Sequence, residues 1–235
     1  MRIINQTFYR FTTNSLLFTE KIKHMKLKKF LTGVLAAGLC AANLASIPAS
    51  AYSGMSATVY AARYWSTPNS YWYLTLNADC TNFVSQCVKA GGVNMYGTAI
   101  AGVAGGNALV DSNSGKWYHY GPYTKPNSTQ KYWKYTRTWS MVSDFRSCFQ
   151  WNGHGNVYTY SVNNTSWYST VQPGDVVQHG YTGHGHSVLC VAPKSGNSNP
   201  TFAAHSNNYY GRNMMYMVQD AKNNNNQYIY VIKPR

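Results

Sequence analysis

The chain has 235 residues, of which 44% are hydrophobic and 11% charged, and its formal net charge is +14 at pH 7. Residues 1–51 hold seven of the 20 Lys and Arg residues and one of the six acids, so residues 52–235 carry a net charge of +8. The five acids of residues 52–235 are all aspartates, which excludes a glycosidase with a glutamate acid. The basic charge favours a polyanionic partner, such as the anionic polymers of a bacterial wall.

A secretory signal peptide is predicted near the start of the chain. Met25 is followed by a lysine-rich stretch, an apolar run over residues 30–44 and the small-residue exit Ala49-Ser50-Ala51. The run is shorter than the ~20 apolar residues of a membrane-spanning helix. We therefore expect initiation at Met25, with residues 1–51 as an upstream extension plus signal peptide. Residues 52–235 are expected to form one secreted domain without stable membrane insertion after cleavage.

The first predicted element of this domain is a short amphipathic helix over residues 56–65, ended by Pro68. Val59, Ala62 and either Ala61 or Trp65 supply its apolar positions. An aromatic connection over residues 69–73 follows. Aromatic side chains stack well on sugars and peptides, and Tyr71 and Trp72 are therefore candidate substrate-binding residues.

A second, buried helix is predicted from residue 80 to residue 90. Its apolar residues recur at three- and four-residue steps and share one face: Phe83, Val84, Cys87 and Val88. Asp79 is a suitable N-cap, and Gly91 is a suitable end because glycine enters the left-handed conformation without steric cost. Cys80 then lies in the first turn, where the helix dipole favours a thiolate. By position alone, Cys80 is equally consistent with a core cysteine. Gln86 could reach the edge of a site from the same helix.

The remaining chain is predicted to form one long loop, one helix and then strands. Residues 92–134 are rich in Gly, Asn and Ser and are our candidate rim of a substrate groove, with a possible hairpin at Gly121-Pro122. A helix is expected over residues 140–151. Strands are predicted at 157–160, 174–178, 187–191, 201–204, 214–218 and 228–232, with a final hairpin turn at 223–226. This order indicates an α+β domain with its helices on one face of an antiparallel sheet.

Two histidines adjoin neighbouring predicted strands. His186 opens the strand over residues 187–191, and His205 directly follows the strand over residues 201–204. A cysteine nucleophile needs an imidazole base and a third polar group that orients this base. If the two strands pair as an antiparallel hairpin, His205 stands beside His186 and can orient it. Asn207 or Asn208 could take that role instead.

A zinc site is the competing use of the histidine cluster. His179, His184 and His186 lie within eight residues, and His184-Gly185-His186 resembles the His-x-His element of lysostaphin-type zinc peptidases. Those enzymes need a His-x-x-x-Asp element upstream, but no Asp after residue 51 has a histidine four residues before it. A site with histidine ligands alone stays open. Our prediction has no cofactor.

The stretch Asp79-Cys80-Thr81-Asn82-Phe83-Val84-Ser85-Gln86-Cys87, followed by Ala90-Gly91-Gly92, resembles the signature of the Putative amidase domain family of secreted bacterial proteins. Pro173-Gly174-Asp175 and His186-Ser187-Val188 are similar to the same family. The resemblance implies a papain-like fold related to the NlpC-type and CHAP cysteine hydrolases. It also implies that Cys80 is the nucleophile and that His186 is the base. The third catalytic residue is then a polar residue on the following strand, here His205.

We therefore predict a secreted cysteine amidase or peptidase that hydrolyses amide bonds of peptidoglycan or other wall peptides. Its catalytic residues are predicted to be Cys80, His186 and His205. The candidate substrate-binding residues are Tyr71, Trp72, Gln86 and His184. No nucleic-acid partner is expected. Two alternatives are a non-catalytic wall-binding module of the same fold and a histidine-ligated zinc hydrolase.

Overall fold

The structure, a computed structural model, describes residues 51–180 and 185–235. The predicted signal peptide and His184 therefore lie outside the described residues. The helices are α1 (Gly54–Tyr64), α2 (Cys80–Ala90), α3 (Arg137–Ser140), α4 (Val142–Trp151) and α5 (Met215–Asn223), with a 3-10 helix at Ser166–Ser169. Among the described residues, every helix falls short of the length and apolar character needed to cross a membrane.

Within residues 51–180 and 185–235, nine strands form two sheets. The strands are β1 (Ala108–Asp111), β2 (His119–Thr124), β3 (Lys131–Thr136), β4 (Gly155–Ser161), β5 (Val176–His179), β6 (His186–Ala192), β7 (Thr201–Ala204), β8 (Tyr209–Asn213) and β9 (Tyr228–Pro234). The larger sheet has the order β4-β9-β5-β6-β7-β8, and all its pairs are antiparallel. The α+β class is confirmed, as is the predicted hairpin of β6 and β7.

The helix that begins at Cys80 forms as predicted, and its apolar face is fully buried. Phe83, Val84 and Cys87 are each 0% exposed. The reason for glycine at its end differs from our expectation, because Gly91 has a φ of −71° and Gly92 takes the positive φ of 110°. A Cβ on Gly91 would lie 2.3 Å from the ring of Tyr52. Close packing therefore requires the glycine at position 91.

Both faces of the larger sheet are covered by helices. On one face, α1, α2 and α4 bury side chains such as Ala57, Phe83 and Phe145 against Leu189 and Ala203. On the other face, α5 and the 3-10 helix pack against β6 and β7. The helices supply Trp167, Met217 and Val218, and the strands supply Val188, Cys190 and Phe202. The prediction of helices on one face only is therefore wrong. The predicted strand over residues 214–218 belongs to α5, whose buried side chains recur at helical spacing.

The predicted long loop over residues 92–134 is only partly irregular. It holds β1, β2 and the start of β3, which form a small sheet of order β1-β3-β2. The hairpin turn of β2 and β3 lies at residues 125–130, whereas Gly121-Pro122 is inside β2, where the register of the pair shifts. A glycine and a proline together usually mark a turn, but here they accommodate a strand irregularity.

Candidate active site

Cys80 is the first residue of α2 and lies against the start of β6. Its side chain is 7% exposed, and its Sγ atom lies 3.8 Å from Thr81 Oγ1. The backbone amide of Ser187, in β6, donates a hydrogen bond to the thiol. The position agrees with the predicted helix that presents a cysteine to an antiparallel sheet.

The thiol of Cys80 is neutral in this environment. Burial raises its pKa above the ordinary value, and the hydrogen bonds from Ser187 and Thr81 offset only part of the increase. The negative charge of Asp79 raises the pKa further. The expected activation of the thiol by its place at the start of the helix is therefore not found, because desolvation outweighs the helix dipole.

A chain of buried hydroxyl and amide groups fixes the start of α2 against the sheet. Thr81 Oγ1 lies 2.9 Å from Ser187 Oγ, and Gln178 Nε2 donates to Ser187 Oγ at 2.9 Å. All three side chains are fully buried. Because these bonds join α2 to β5 and β6, the position of Cys80 is set by rigid elements.

The carboxylate of Asp79 links three segments and does not cap α2 by its side chain. Its Oδ2 atom lies 2.5 Å from His205 Nδ1. Its Oδ1 atom accepts hydrogen bonds from the Leu76 amide at 2.9 Å and from Asn82 Nδ2 at 2.7 Å. The predicted capping role is therefore replaced by a buried ion pair next to Cys80.

His205 is the other member of this pair, and both of its ring nitrogens have hydrogen-bond partners. Its Nε2 atom lies 2.8 Å from the carbonyl oxygen of Tyr64, and its ring stacks on Phe83 with centroids 4.1 Å apart. When Asp79 is ionised, both ring nitrogens face acceptors, and an imidazolium satisfies both. His205 therefore connects α1 and α2 to the end of β7.

The expectation that His205 stands beside His186 and orients it is contradicted. The register pairs Leu189 with Ala203, so continuing it by two residues places His205 opposite Ser187. Neighbouring residues on a strand point to opposite faces of a sheet. His205 consequently lies on the α2 face, whereas His186 points to the α5 face.

His186 lies in a cluster of polar groups on the α5 face. Its Nε2 atom lies 3.1 Å from the hydroxyl of Tyr209, and its ring centroid is 6.3 Å from that of His179. Burial lowers the pKa of His186 to about 4, with contributions from His179 and Arg212, while Asp220 raises it. The imidazole is therefore neutral near pH 7. Among the described residues, it makes no hydrogen bond with Cys80.

Tyr209, at the start of β8, is the hydrogen-bond partner of His186. Its hydroxyl contacts His186, and its pKa is raised first by burial and also by the charges of Cys80 and Asp220, while Arg212 lowers it. Sequence reasoning missed Tyr209, because β8 was not predicted and the chain contains 21 tyrosines. Its position five residues after the end of a predicted hairpin was the only available signal.

Two of the predicted substrate-binding residues line a common cavity. Trp72 and Gln86 lie beside an opening of about 470 Å³ between α1, α2 and β2. Gln86 is buried and accepts a hydrogen bond from the Tyr60 hydroxyl at 2.8 Å. Tyr71 is 71% exposed and packs edge-on against Trp72. Cys80 does not line this cavity, so these residues are not brought together with the thiol.

The zinc alternative rested on three histidines, of which the structure describes two. His179 Nε2 lies 2.8 Å from Asp220 Oδ2, and Asn226 Nδ2 lies 3.1 Å from His179 Nδ1. In the described ranges, no three His, Cys, Asp or Glu side chains converge as metal ligands. His184 is outside these ranges. The four cysteines after residue 51 are all buried and free.

Comparisons with known proteins support an amidase-like family for this chain. The family model described as "Putative amidase domain" matches residues 51–232. The chain is also similar to "Uncharacterized protein YhbB" of Bacillus subtilis (strain 168), with 27% identity over 149 residues. The match covers 62% of this chain and 39% of that protein, so it spans well under half of the relative's length. No solved structure matches the chain.

Proposed function

The chain belongs to the Putative amidase domain family, and from that membership we propose that it is a secreted cysteine hydrolase of wall peptides. One observation carries the proposal: α2 presents Cys80 to the start of β6, where the Ser187 amide contacts the thiol. The next residue toward the N-terminus is His186, whose side chain points to the opposite, α5 face of the sheet. A cysteine helix packed on an antiparallel sheet also supports a papain-like fold related to the NlpC-type and CHAP hydrolases.

The Cys80 thiol and the His186 imidazole are both neutral, and this determines how the thiol is activated. A preformed thiolate–imidazolium pair requires a low thiol pKa and a high imidazole pKa, but burial shifts the pKa values of Cys80 and His186 the opposite way. The proton therefore leaves Cys80 as sulfur attacks. The Tyr209 hydroxyl contacts His186 Nε2 but makes no hydrogen bond with the thiol among the described residues. We therefore propose that the bound substrate brings the two together, so that the Tyr209 oxygen accepts the thiol proton and gives its own proton to His186 Nε2.

The reaction then follows acyl transfer. Sγ forms a bond with the amide carbonyl carbon, and the free amide of Cys80 at the start of α2 stabilises the oxyanion. Protonated His186 returns a proton to the leaving amine by the same route as the C–N bond breaks. Water hydrolyses the thioester and restores the thiol.

The substrate class is proposed from charge and surface. A net charge of +8 on residues 52–235 suits a wall with anionic polymers. Tyr71 and Trp72 expose 71% and 56% of their surfaces, and aromatic rings of this kind stack on sugars and peptides. The signal-like segment within residues 1–51 supports export to that wall.

The direct test is incubation of the purified protein with peptidoglycan sacculi. We expect soluble fragments with new amine and carboxyl termini, identified by mass spectrometry. Sacculi without new termini, from a folded protein and from walls of several compositions, would refute the hydrolase proposal.

The pH dependence of turnover reports the protonation of His186. Because the base must be neutral and its pKa is lowered to about 4, kcat/KM should stay constant near neutrality and fall as the pH drops through about 4. The measurement is a pH–rate profile with unfolding monitored at each pH. An acid limb near the ordinary histidine value of about 6.5 would show that His186, as placed here, is not the base.

Tyr209→Phe tests the proposed proton route. Removal of the hydroxyl should lower kcat about 100-fold, the lower end of the contribution of general acid–base catalysis, with little change in KM. Tyr210→Phe is the matched control, since Tyr210 adjoins Tyr209 on β8 and is 43% exposed. Equal kcat values for Tyr209→Phe and the unaltered protein would contradict the route.

A wall-binding module without turnover is the second candidate. It is favoured by the buried neutral thiol of Cys80 and by the absence of a thiol–imidazole hydrogen bond among the described residues. Such a module would sediment with sacculi and leave their termini unchanged. A cysteine hydrolase would bind and cleave.

A further inference from the structure

A second cavity, of about 330 Å³, opens on the α5 face of the larger sheet. Its lining residues come from the start of β6, from β8 and from α5. They include His186, Tyr209, Arg212, Tyr216 and Asp220. The cavity therefore contains the proposed base, together with one cationic and one anionic side chain.

Arg212 is a partly buried cation that lacks an acidic partner among the described residues. Its guanidinium lies 4.1 Å from the ring centroid of Tyr209 and 5.1 Å from that of Tyr216. Elsewhere, Lys116 and Arg137 pair with Asp111 and Asp144. The guanidinium lies over both tyrosine rings, and its N–H groups make no hydrogen bond among the described residues.

Asp220 lines the same cavity but is engaged by other groups. Its Oδ2 atom lies 2.8 Å from His179 Nε2, and its Oδ1 atom accepts from Asn224 Nδ2 at 3.2 Å. Because Asn226 contacts the other ring nitrogen of His179, that imidazole presents its Nε2–H to Asp220. The carboxylate is therefore satisfied without Arg212.

We propose that Arg212 binds a carboxylate of the substrate, so that the enzyme cleaves amide bonds in peptides with a free carboxylate close to the scissile bond. This inference rests on the proposed function. A guanidinium matches a carboxylate with two parallel hydrogen bonds, and this fit gives orientation as well as affinity. A half-buried arginine without a counter-ion is well suited to a ligand that supplies the negative charge.

The distance from Arg212 to the proposed base sets the position of this carboxylate. The guanidinium stacks on the ring of Tyr209, and the hydroxyl of the same ring contacts His186. One tyrosine side chain therefore separates the two groups. Cys80 does not line this cavity, so the position of the scissile bond follows from the proposed proton transfer from Tyr209 to the leaving amine. An extended peptide advances about 3.3–3.6 Å per residue, which places a carboxylate on Arg212 within one or two residues of that amine. A terminal carboxylate on the leaving amino acid meets this condition.

Binding to the Cys80→Ala protein tests the site without turnover. The probes are N-acetyl-D-alanyl-D-alanine and its C-terminal carboxamide, measured by calorimetry at low salt. We expect the acid to bind about 10- to 100-fold more tightly than the carboxamide, as for a charge-assisted hydrogen-bonded pair. Arg212→Gln, added to Cys80→Ala, should remove this preference, and Arg212→Lys should keep part of it.

Arg63→Gln is the matched control, since Arg63 is exposed and its guanidinium lies 5.3 Å from the ring centroid of Tyr64. This variant should keep the full preference for the acid. Equal binding of the two probes, no binding of either, or a preference that survives in folded Arg212→Gln would overturn the inference. Acid-selective binding together with uncleaved sacculi would instead refute the hydrolase and leave the carboxylate site intact.

Discussion

Cys80→Ala is expected to abolish amide hydrolysis, with a loss in kcat/KM of about 10⁴- to 10⁶-fold, the range found when a nucleophile is removed from a catalytic unit. No other cysteine can replace it, because the remaining three after residue 51 are fixed in the buried core. The measurement is the rate at which new amine termini appear in sacculi. The folded state of the variant is checked by its thermal unfolding midpoint.

Cys87→Ala provides the matched control for this experiment. Cys87 lies on the same helix and is 0% exposed, but it packs in the core formed by α1, α2 and α4. Its replacement should lower the free energy of unfolding by about 1 kcal/mol and leave kcat nearly unchanged. Full activity of Cys80→Ala that a chelator abolishes would contradict the cysteine mechanism and favour the zinc alternative.

The placement of Cys80 could be predicted because it depends on local pattern. The apolar spacing of Phe83, Val84 and Cys87 predicts the helix, and the structure buries all three. The hairpin of β6 and β7 follows from two short apolar runs separated by turn residues. In each case, the signal and the structure lie within about a dozen residues of one another.

The side on which each histidine lies could not be predicted with the same reliability. A change of one residue in strand register moves a side chain to the other face of a sheet. The sequence places His186 and His205 at adjoining strand ends but does not determine which residues are paired. The observed register separates them, with His205 joined to Asp79 and His186 joined to Tyr209.

The electrostatic state of Cys80 was mispredicted for a related reason. A position at the start of a helix is visible in the sequence, and it favours a thiolate. The extent of burial depends on distant segments, here including β6 and the residues near Asp79.

The secondary structure of residues 214–218 also depends on distant segments. The sequence Met-Met-Tyr-Met-Val is compatible with a strand or a helix until the packing of Met217 and Val218 is known.

Loss of one partner of the buried pair of Asp79 and His205 is expected to be the most destabilising single change near the site. The side chains of Asp79 and His205 are 7% and 2% exposed. Loss of one partner from a buried pair leaves an uncompensated charge and typically costs about 3–5 kcal/mol. His205→Gln and Asp79→Asn should each lower the free energy of unfolding by this amount, measured by urea denaturation. Asp144→Asn, which breaks the more exposed pair with Arg137, should cost less than about 1 kcal/mol.

The double variant Asp79→Asn/His205→Gln separates the ion pair from simple loss of packing. In the double variant no buried charge is left unpaired, so its destabilisation should be clearly smaller than the sum of the two single effects. Additive effects would show that the two side chains stabilise the protein independently, against the contact of 2.5 Å between them. Because Asp79 directly precedes Cys80, and Tyr64 ends α1 beside His205, the pair holds α2 at the sheet. A coupled loss of stability would therefore show that the pair joins α1 and α2 to the end of β7.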